Sequence, residues 1–316
     1  MSDHTEFRAV SSFNQPLIIA TLEQNLKDWI SWSMLRIGGW VNVTTGNSSV
    51  RGLNAATLQK VNDPSYINKT VFQSPRKDWV YETSGVNYVS PTGGNFNPLP
   101  VKVYSNNIEV STGLYYINYP EGRVIFNSPQ NGTISAQYSY RSVQVYTENE
   151  TNWTMEVNQD TQKLSEQWNL NVGSGDFALS STNRLQLPAI VIEPVSEGSS
   201  APYELGTLAA RNKQDILLHI LTEDKTTRNN LCDIFRFQRG KSIHLYDLYK
   251  VYAGGYYPLD ERGMKVNNPP LYPDLVNNTD LMFRQAFFDN IKITNINTKN
   301  PNLHWSVVRL TLEVIY

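Results

Sequence analysis

The stretch Val101 to Tyr146, VKVYSNNIEVSTGLYYINYPEGRVIFNSPQNGTISAQYSYRSVQVY, constrains the fold most, because it alternates with a period that only half-buried strands produce. Ile134, Ala136, Tyr138 and Tyr140 fall on one face, and Thr133, Ser135, Gln137 and Arg141 on the other. Turn chemistry separates the runs. Pro120-Glu121-Gly122 presets one φ and supplies a glycine for a left-handed position, while Asn131-Gly132 and Ser105-Asn106-Asn107 punctuate the neighbouring connections. An antiparallel meander of four strands is expected.

Around it the chain reads as an α+β protein, mostly antiparallel β-sheets with a few packed helices and long loop insertions. Pro16 to Ile37 predicts a helix, since Leu22, Leu26, Trp29 and Ile30 recur at three and four residues and Gly38-Gly39 stops the turn; Trp32 and Leu35 widen the stripe. Val41 to Val43 and Val50 read as a short strand. Thr44 to Pro100 is rich in Asn, Ser, Gly, Thr and Pro and reads as a loop-rich arm that orders against a neighbour. Glu148 to Gly175 predicts a strand (Trp153, Met155, Val157) and then a helix (Leu164, Trp168), within a connecting segment 147–184. Leu185 to Ile192 reads as a strand broken by Pro188, and Ser196 to Pro202 as a loop.

Asp215 to Leu221 is apolar on both faces, which predicts a central strand covered on both sides. Thr222 is placed to cap a helix carrying Leu231, Cys232, Ile234 and Phe235, Gly240 stops it, and Ser242 to Leu248 returns as a strand. Tyr249 to Thr279 reads as a second long loop. Phe287 to Thr294 and Trp305 to Tyr316 form a hairpin around Asn297 to Pro301, the last strand alternating Val308, Leu310, Leu312 and Val314 against Arg309, Thr311 and Glu313. Leu205 to Tyr316 should make one mixed sheet with the helix on a face. The domain reading is residues 1–43 with 185–316 as a core, 44–100 as an arm, 101–146 as a meander module and 147–184 as a connection.

Composition excludes more than it suggests. A net charge of -2, from 27 Lys plus Arg against 29 Asp plus Glu, predicts no strong field toward nucleic acid or an anionic membrane. A single cysteine, Cys232, allows no intrachain disulfide or cysteine zinc site. Asp3 and Glu6 stand where a signal peptide needs positive charge, Leu17 to Ala20 is too short for a signal core, and no run approaches the roughly 20 apolar residues of a membrane span. A soluble, unsecreted chain is expected. The sequons at Asn42, Asn68, Asn149 and Asn152 are then chance matches.

His4, His219, His244 and His304 lack the short spacing of a metal pair, so neither metal nor cofactor is expected. A triad could be drawn from Cys232, His219 or His244, and Asp247, but Cys232 on an apolar helix face reads better as core. Neither a phosphate-binding glycine loop nor a G-x-S-x-G elbow is present. Glu148 with Glu150 and Asp260 with Glu261 carry no more signal than surface carboxylates do. Arg236, Arg239 and Lys241 could touch DNA phosphates, yet they also complement a helix C-terminus. The aromatics carry the functional expectation: Tyr66, Phe72 and Trp79 in one loop-rich segment, and Tyr252, Tyr256, Tyr257 and Tyr272 in the other, are bulky groups that want partners.

LPAIVIE at Leu187 to Glu193, PYELG at Pro202 to Gly206, LLHILTEDKTTRNNLCDIF at Leu217 to Phe235, IHLYDLY at Ile243 to Tyr249 and the terminal WSVVRLTLEVIY together resemble structural proteins of tailed bacteriophage particles, of the neck or tail-completion type (tail terminator or head-tail connector). YYINYPEGRVIF is similar to small β-modules of virion proteins. The insertions at Thr44 to Pro100 and Tyr249 to Thr279 depart from a compact tail terminator. The resemblance implies no catalytic residues and a non-enzymatic virion component, made in the host cytoplasm. Thr44 to Pro100 and Tyr249 to Thr279, read as assembly arms that reach the next copy, predict a homo-oligomeric ring, six-fold among the options, against tail tube, sheath, connector or neck proteins, with DNA contact only incidental. A carbohydrate-binding or fibre-attachment module using Tyr256 and Tyr257 on host glycans is the alternative, and a hydrolase using Cys232 stands third.

Overall fold

The computed structural model describes residues 18–45, 49–50, 53–150, 186–204, 209–297 and 303–315. Its β-structure is mostly antiparallel with few helices, as the sequence predicts. The largest sheet has six strands in the order Gln144–Thr147, Ala189–Pro202, Ala210–Thr222, His304–Ile315, Met282–Ile296, Ser242–Tyr246. Only the first pair is parallel.

Two helices close one face of this sheet. Helix α1 (Ile18–Arg36) brings Leu22, Leu26, Trp29, Ile30 and Met34, and α2 (Lys225–Arg236) brings Leu231, Cys232 and Phe235, onto Ile216, Leu218, Ile220, Val308, Leu310 and Leu312. The cap of α2 is Asp224 rather than Thr222: the Asp224 carboxylate accepts from Thr227 N–H at 2.7 Å, and the Thr222 hydroxyl donates to Asp224 O at 2.7 Å. Among the described residues the opposite face is covered only in part, where two covered faces were expected. Leu187, Ala189, Val191, Leu221 and Leu303 cluster at one end. At the other end Asp215 accepts from Arg309 Nε at 2.9 Å and from Thr311 Oγ1 at 2.6 Å.

Val101 to Tyr146 is not one meander. Lys102–Ser105 pairs with Ile134–Arg141, which also pairs with Trp40–Val43, whereas the hairpin Tyr115–Asn118 with Arg123–Phe126 pairs with Thr70–Gln73 in a second four-stranded sheet. Gln144–Thr147 leaves for the large sheet. Arg123–Phe126 is buried at every position, so it needs a strand from outside the stretch, and Thr70–Gln73, equally buried, supplies it. The turn Pro120-Glu121-Gly122 behaves as expected, with Gly122 at φ 62 and the Arg76 carbonyl packed where a Cβ would stand.

The two four-stranded sheets share one core with residues of 44–100, which is therefore no free arm. Ala55, Ala56, Leu58, Phe72 and Trp79 are buried among Val103, Val124, Phe126, Ala136 and Tyr138. The backbone is stitched in as well: Ala136 N–H donates to Ala56 O at 2.8 Å, Val80 N–H to Ser139 O at 2.8 Å and Arg141 N–H to Asp78 O at 3.0 Å. The apolar residues here follow no period because they enter the core singly.

Three other expectations change. Ser196 to Pro202 continues the strand Ala189–Pro202 past a bulge between Pro194 and Gly198 instead of looping, and Pro188 precedes that strand rather than breaking it. Tyr249 to Thr279 holds most of helix α3 (Leu248–Gly254), capped by Asp247 and ended by left-handed Gly255, and helix α4 (Tyr272–Asn277). Beyond the short helical turn Glu148–Glu150, the strand and helix expected up to Gly175 lie outside the described residues.

Both sheet edges are guarded. On the outer side of Ser242–Tyr246, the Asn25 amide donates to Tyr246 O at 3.0 Å and accepts from Tyr246 N–H at 2.9 Å, while Tyr272 OH donates to His244 O at 2.6 Å. Along the other edge, beyond the short partner Gln144–Thr147, the bulge and the ring nitrogens of Pro194 and Pro202 interrupt the row of donors.

Candidate functional site

Where α1, α3, α4, the segment Asp78–Glu82 and the turn at Pro120 converge, a cavity of about 410 Å³ opens to the surface. Local structure explains how its walls arise. Asp28 lies one turn along α1 from the buried Asn25, Asp78 holds a left-handed backbone (φ 56) that turns the chain before Trp79, and α3 carries Tyr252 toward the opening.

Arg141 is the buried centre of charge. Its guanidinium pairs with Glu82 and, at 3.4 Å, with Asp78. Burial works against its charge, but Glu82 and Asp78 more than offset this and hold it firmly protonated. Asp28 accepts from Tyr246 OH at 2.6 Å and from the Gln24 amide at 3.1 Å; burial nevertheless pushes its carboxyl above the usual range. Burial pushes Asp78 up too, against Arg141, and lifts the Tyr81 hydroxyl well above its ordinary value, with Glu82, Asp28 and Asp78 adding to the rise. Lys27 is paired with Glu150.

Of the aromatics singled out in the sequence, Tyr252, Tyr256, Tyr257 and Tyr272 all line this cavity. Tyr252 and Tyr257 stack with centroids 5.6 Å apart, and Tyr252, Tyr256 and Tyr257 are 46, 45 and 42% exposed. The other three lie elsewhere. Tyr66 tilts against Tyr116 over Val61, Val71 and Ile125. Phe72 and Trp79 are inside the shared core, which corrects their reading as surface groups awaiting a partner.

The suggested triad does not assemble. Cys232 is buried in the core beneath α2, where burial pushes its thiol up, while His219 projects from the opposite face of the sheet to Glu193 at 2.5 Å. Asp247 caps α3. Arg236 pairs with Asp233 at 3.0 Å and Lys241 lies 5.4 Å from the Trp29 ring. Among the described residues no group of three His, Cys, Asp or Glu could hold a metal ion, and no helix is long and apolar enough to cross a membrane.

Asp28, Asp78, Tyr81, Glu82, Arg141 and Tyr246 were not marked by sequence. Arg141 falls on the outward phase of an alternating strand, and Asp28 on the polar side of α1; no local pattern says that a second body covers them.

Asp28→Asn tests this electrostatic description. A carboxyl held above its ordinary value of 3.8 binds its proton more tightly folded than unfolded, so the fold is penalised as pH rises past that value. The neutral amide removes the penalty. The variant is expected to gain in Tm at pH 7 and to gain nothing at pH 3, where the carboxyl is protonated in both states. Equal losses at both pH values would make Asp28 an ordinary structural acceptor.

No protein-family model matches the chain, and no curated protein matches it.

Proposed function

We propose that this protein is a non-enzymatic structural component of a tailed-phage particle, joining or completing the tail at the neck through protein–protein interfaces. The observation that carries the reading is the gathering of Tyr252, Tyr256 and Tyr257 at one rim, each more than two-fifths exposed in the single chain. Aromatics of this kind are enriched at interfaces, where their faces are covered on assembly. The resemblance of the C-terminal segments to neck and tail-completion proteins gives the setting. In a closed ring each subunit offers two different complementary surfaces, and a homo-oligomeric ring, six-fold among the options, is the assembly proposed. Tail tube, sheath, connector or neck proteins are the neighbours proposed, in the virion and, during assembly, in the host cytoplasm.

The test is incorporation. A Tyr252→Ser, Tyr256→Ser, Tyr257→Ser variant is expected to fold with an unchanged Tm, since these rings stand largely outside the core, and to enter particles at roughly a tenth of the normal level, as loss of interface anchors implies. Normal incorporation on quantitative gels of purified particles would remove the reading.

A further inference from the structure

We infer that the tyrosine-rimmed cavity is a receptor for a basic side chain, arginine or lysine, presented by a neighbouring protein. The identity of the partner rests on the assembly reading above; the chemistry of the site does not.

Charge is the first support. Asp28, Asp78, Glu82 and Glu150 face Lys27 and Arg141, so the walls carry two more acids than bases. Both bases already have acidic partners, Lys27 in Glu150 and Arg141 in Glu82 and Asp78, with Arg141 Nη1 buried and without a hydrogen-bond partner among the described residues. Asp28 is left with two neutral donors, Tyr246 OH and the Gln24 amide. A cation entering here would meet a half-buried acid that no guanidinium or ammonium among the described residues contacts directly. Such a pair is stronger in this setting than on an open surface.

The aromatic walls are the second support. Tyr81, Tyr252, Tyr256 and Tyr257 line the cavity, Tyr252 and Tyr257 stacked on each other. Ring faces attract cations, and this chain already uses that attraction on its own bases: Arg141 lies 5.8 Å from the Tyr81 centroid, Arg76 5.2 Å from Tyr140 and Lys69 4.7 Å from Tyr116. A cavity of about 410 Å³ has room for a long basic side chain with part of the backbone that presents it. An anionic side chain would face the excess of carboxylates, and an aliphatic one would cover Asp28 without adding a charge partner.

The experiment is a titration of the full chain, followed by NMR or calorimetry, with three probes: acetyl-Gly-Arg-Gly-amide, its Gln counterpart, and methyl β-galactoside. The arginine peptide is expected to saturate, in the millimolar range usual for a single side chain, and to bind roughly tenfold more tightly than the glutamine peptide. Asp28→Asn and Tyr257→Leu should each weaken it by roughly five- to tenfold. Unchanged circular dichroism of both variants shows that the loss is local. Equal binding of the glutamine peptide, saturation by the sugar alone, no saturable binding, or indifference to Asp28→Asn would each overturn the inference, and the sugar result would favour glycan recognition instead. Loss of particle incorporation by the tyrosine variant without arginine binding would sink the receptor and leave the assembly reading. Arginine binding with normal incorporation would do the reverse.

Discussion

Leu218→Asp is expected to unfold the six-stranded sheet. Leu218 has no solvent exposure, stands in register with Ile192 on one side and Val308 on the other, and belongs to the core cluster that the sheet shares with both long helices. A carboxylate there would have neither water nor a cation, a cost of several kcal/mol against a total stability of about 5–15 kcal/mol. Urea titration followed by circular dichroism should show loss of the cooperative transition, or a midpoint lowered so far that the variant is largely unfolded at 37 °C. A variant with the parental midpoint would mean that the strand is not the centre of the sheet.

Trp79→Ala should be nearly as damaging, in the other half of the protein. The indole is fully buried, stacks on Tyr138 with centroids 4.1 Å apart and planes 15° apart, and donates to Arg76 O at 2.9 Å. Truncation leaves a cavity, frees a buried carbonyl and removes the ring stack, for a loss of about 3–5 kcal/mol. The contrast with Tyr257 is informative, because both residues looked alike as bulky groups in loop-rich segments. Trp79→Ala is expected to lower Tm strongly, and Tyr257→Leu to leave it in place. If Trp79→Ala kept its Tm and lost only assembly, the shared core of the two small sheets would be misassigned.

That contrast shows what sequence could and could not convey. The strand ending at Ile315 and helix α1 were legible because each buries one face of a regular element, so period and structure coincide, and the strand ending at Thr222 because a short run apolar on both faces marks a sheet interior. Ile134 to Tyr140 was legible for the same reason, but its partners were not: alternation fixes which face turns inward and says nothing about which strand lies alongside. Thr44 to Pro100 failed more completely. Its buried residues, Ala55, Leu58, Phe72 and Trp79, enter the core one or two at a time between polar turns, and a strand of four residues such as Thr70–Gln73 is too short to show a period. Four tyrosines of the cavity were found by their bulk in a polar segment. Arg141 and Asp28 were missed, because their burial comes from the meeting of elements far apart in sequence.

The guarded edges have a consequence for how copies of this chain can meet. A bare sheet edge is an indiscriminate adhesive, since every polypeptide carries the same amide row and any strand can lengthen it without limit. Here Asn25 and Tyr272 occupy one row as a stationary surrogate for a strand, and two prolines with a bulge spoil the other. Strand addition is thereby opposed at both edges of this sheet. The six-stranded sheet thus offers a passing strand few free donors, and what its edges present to another molecule is side chains, which distinguish one neighbour from another where an amide row does not.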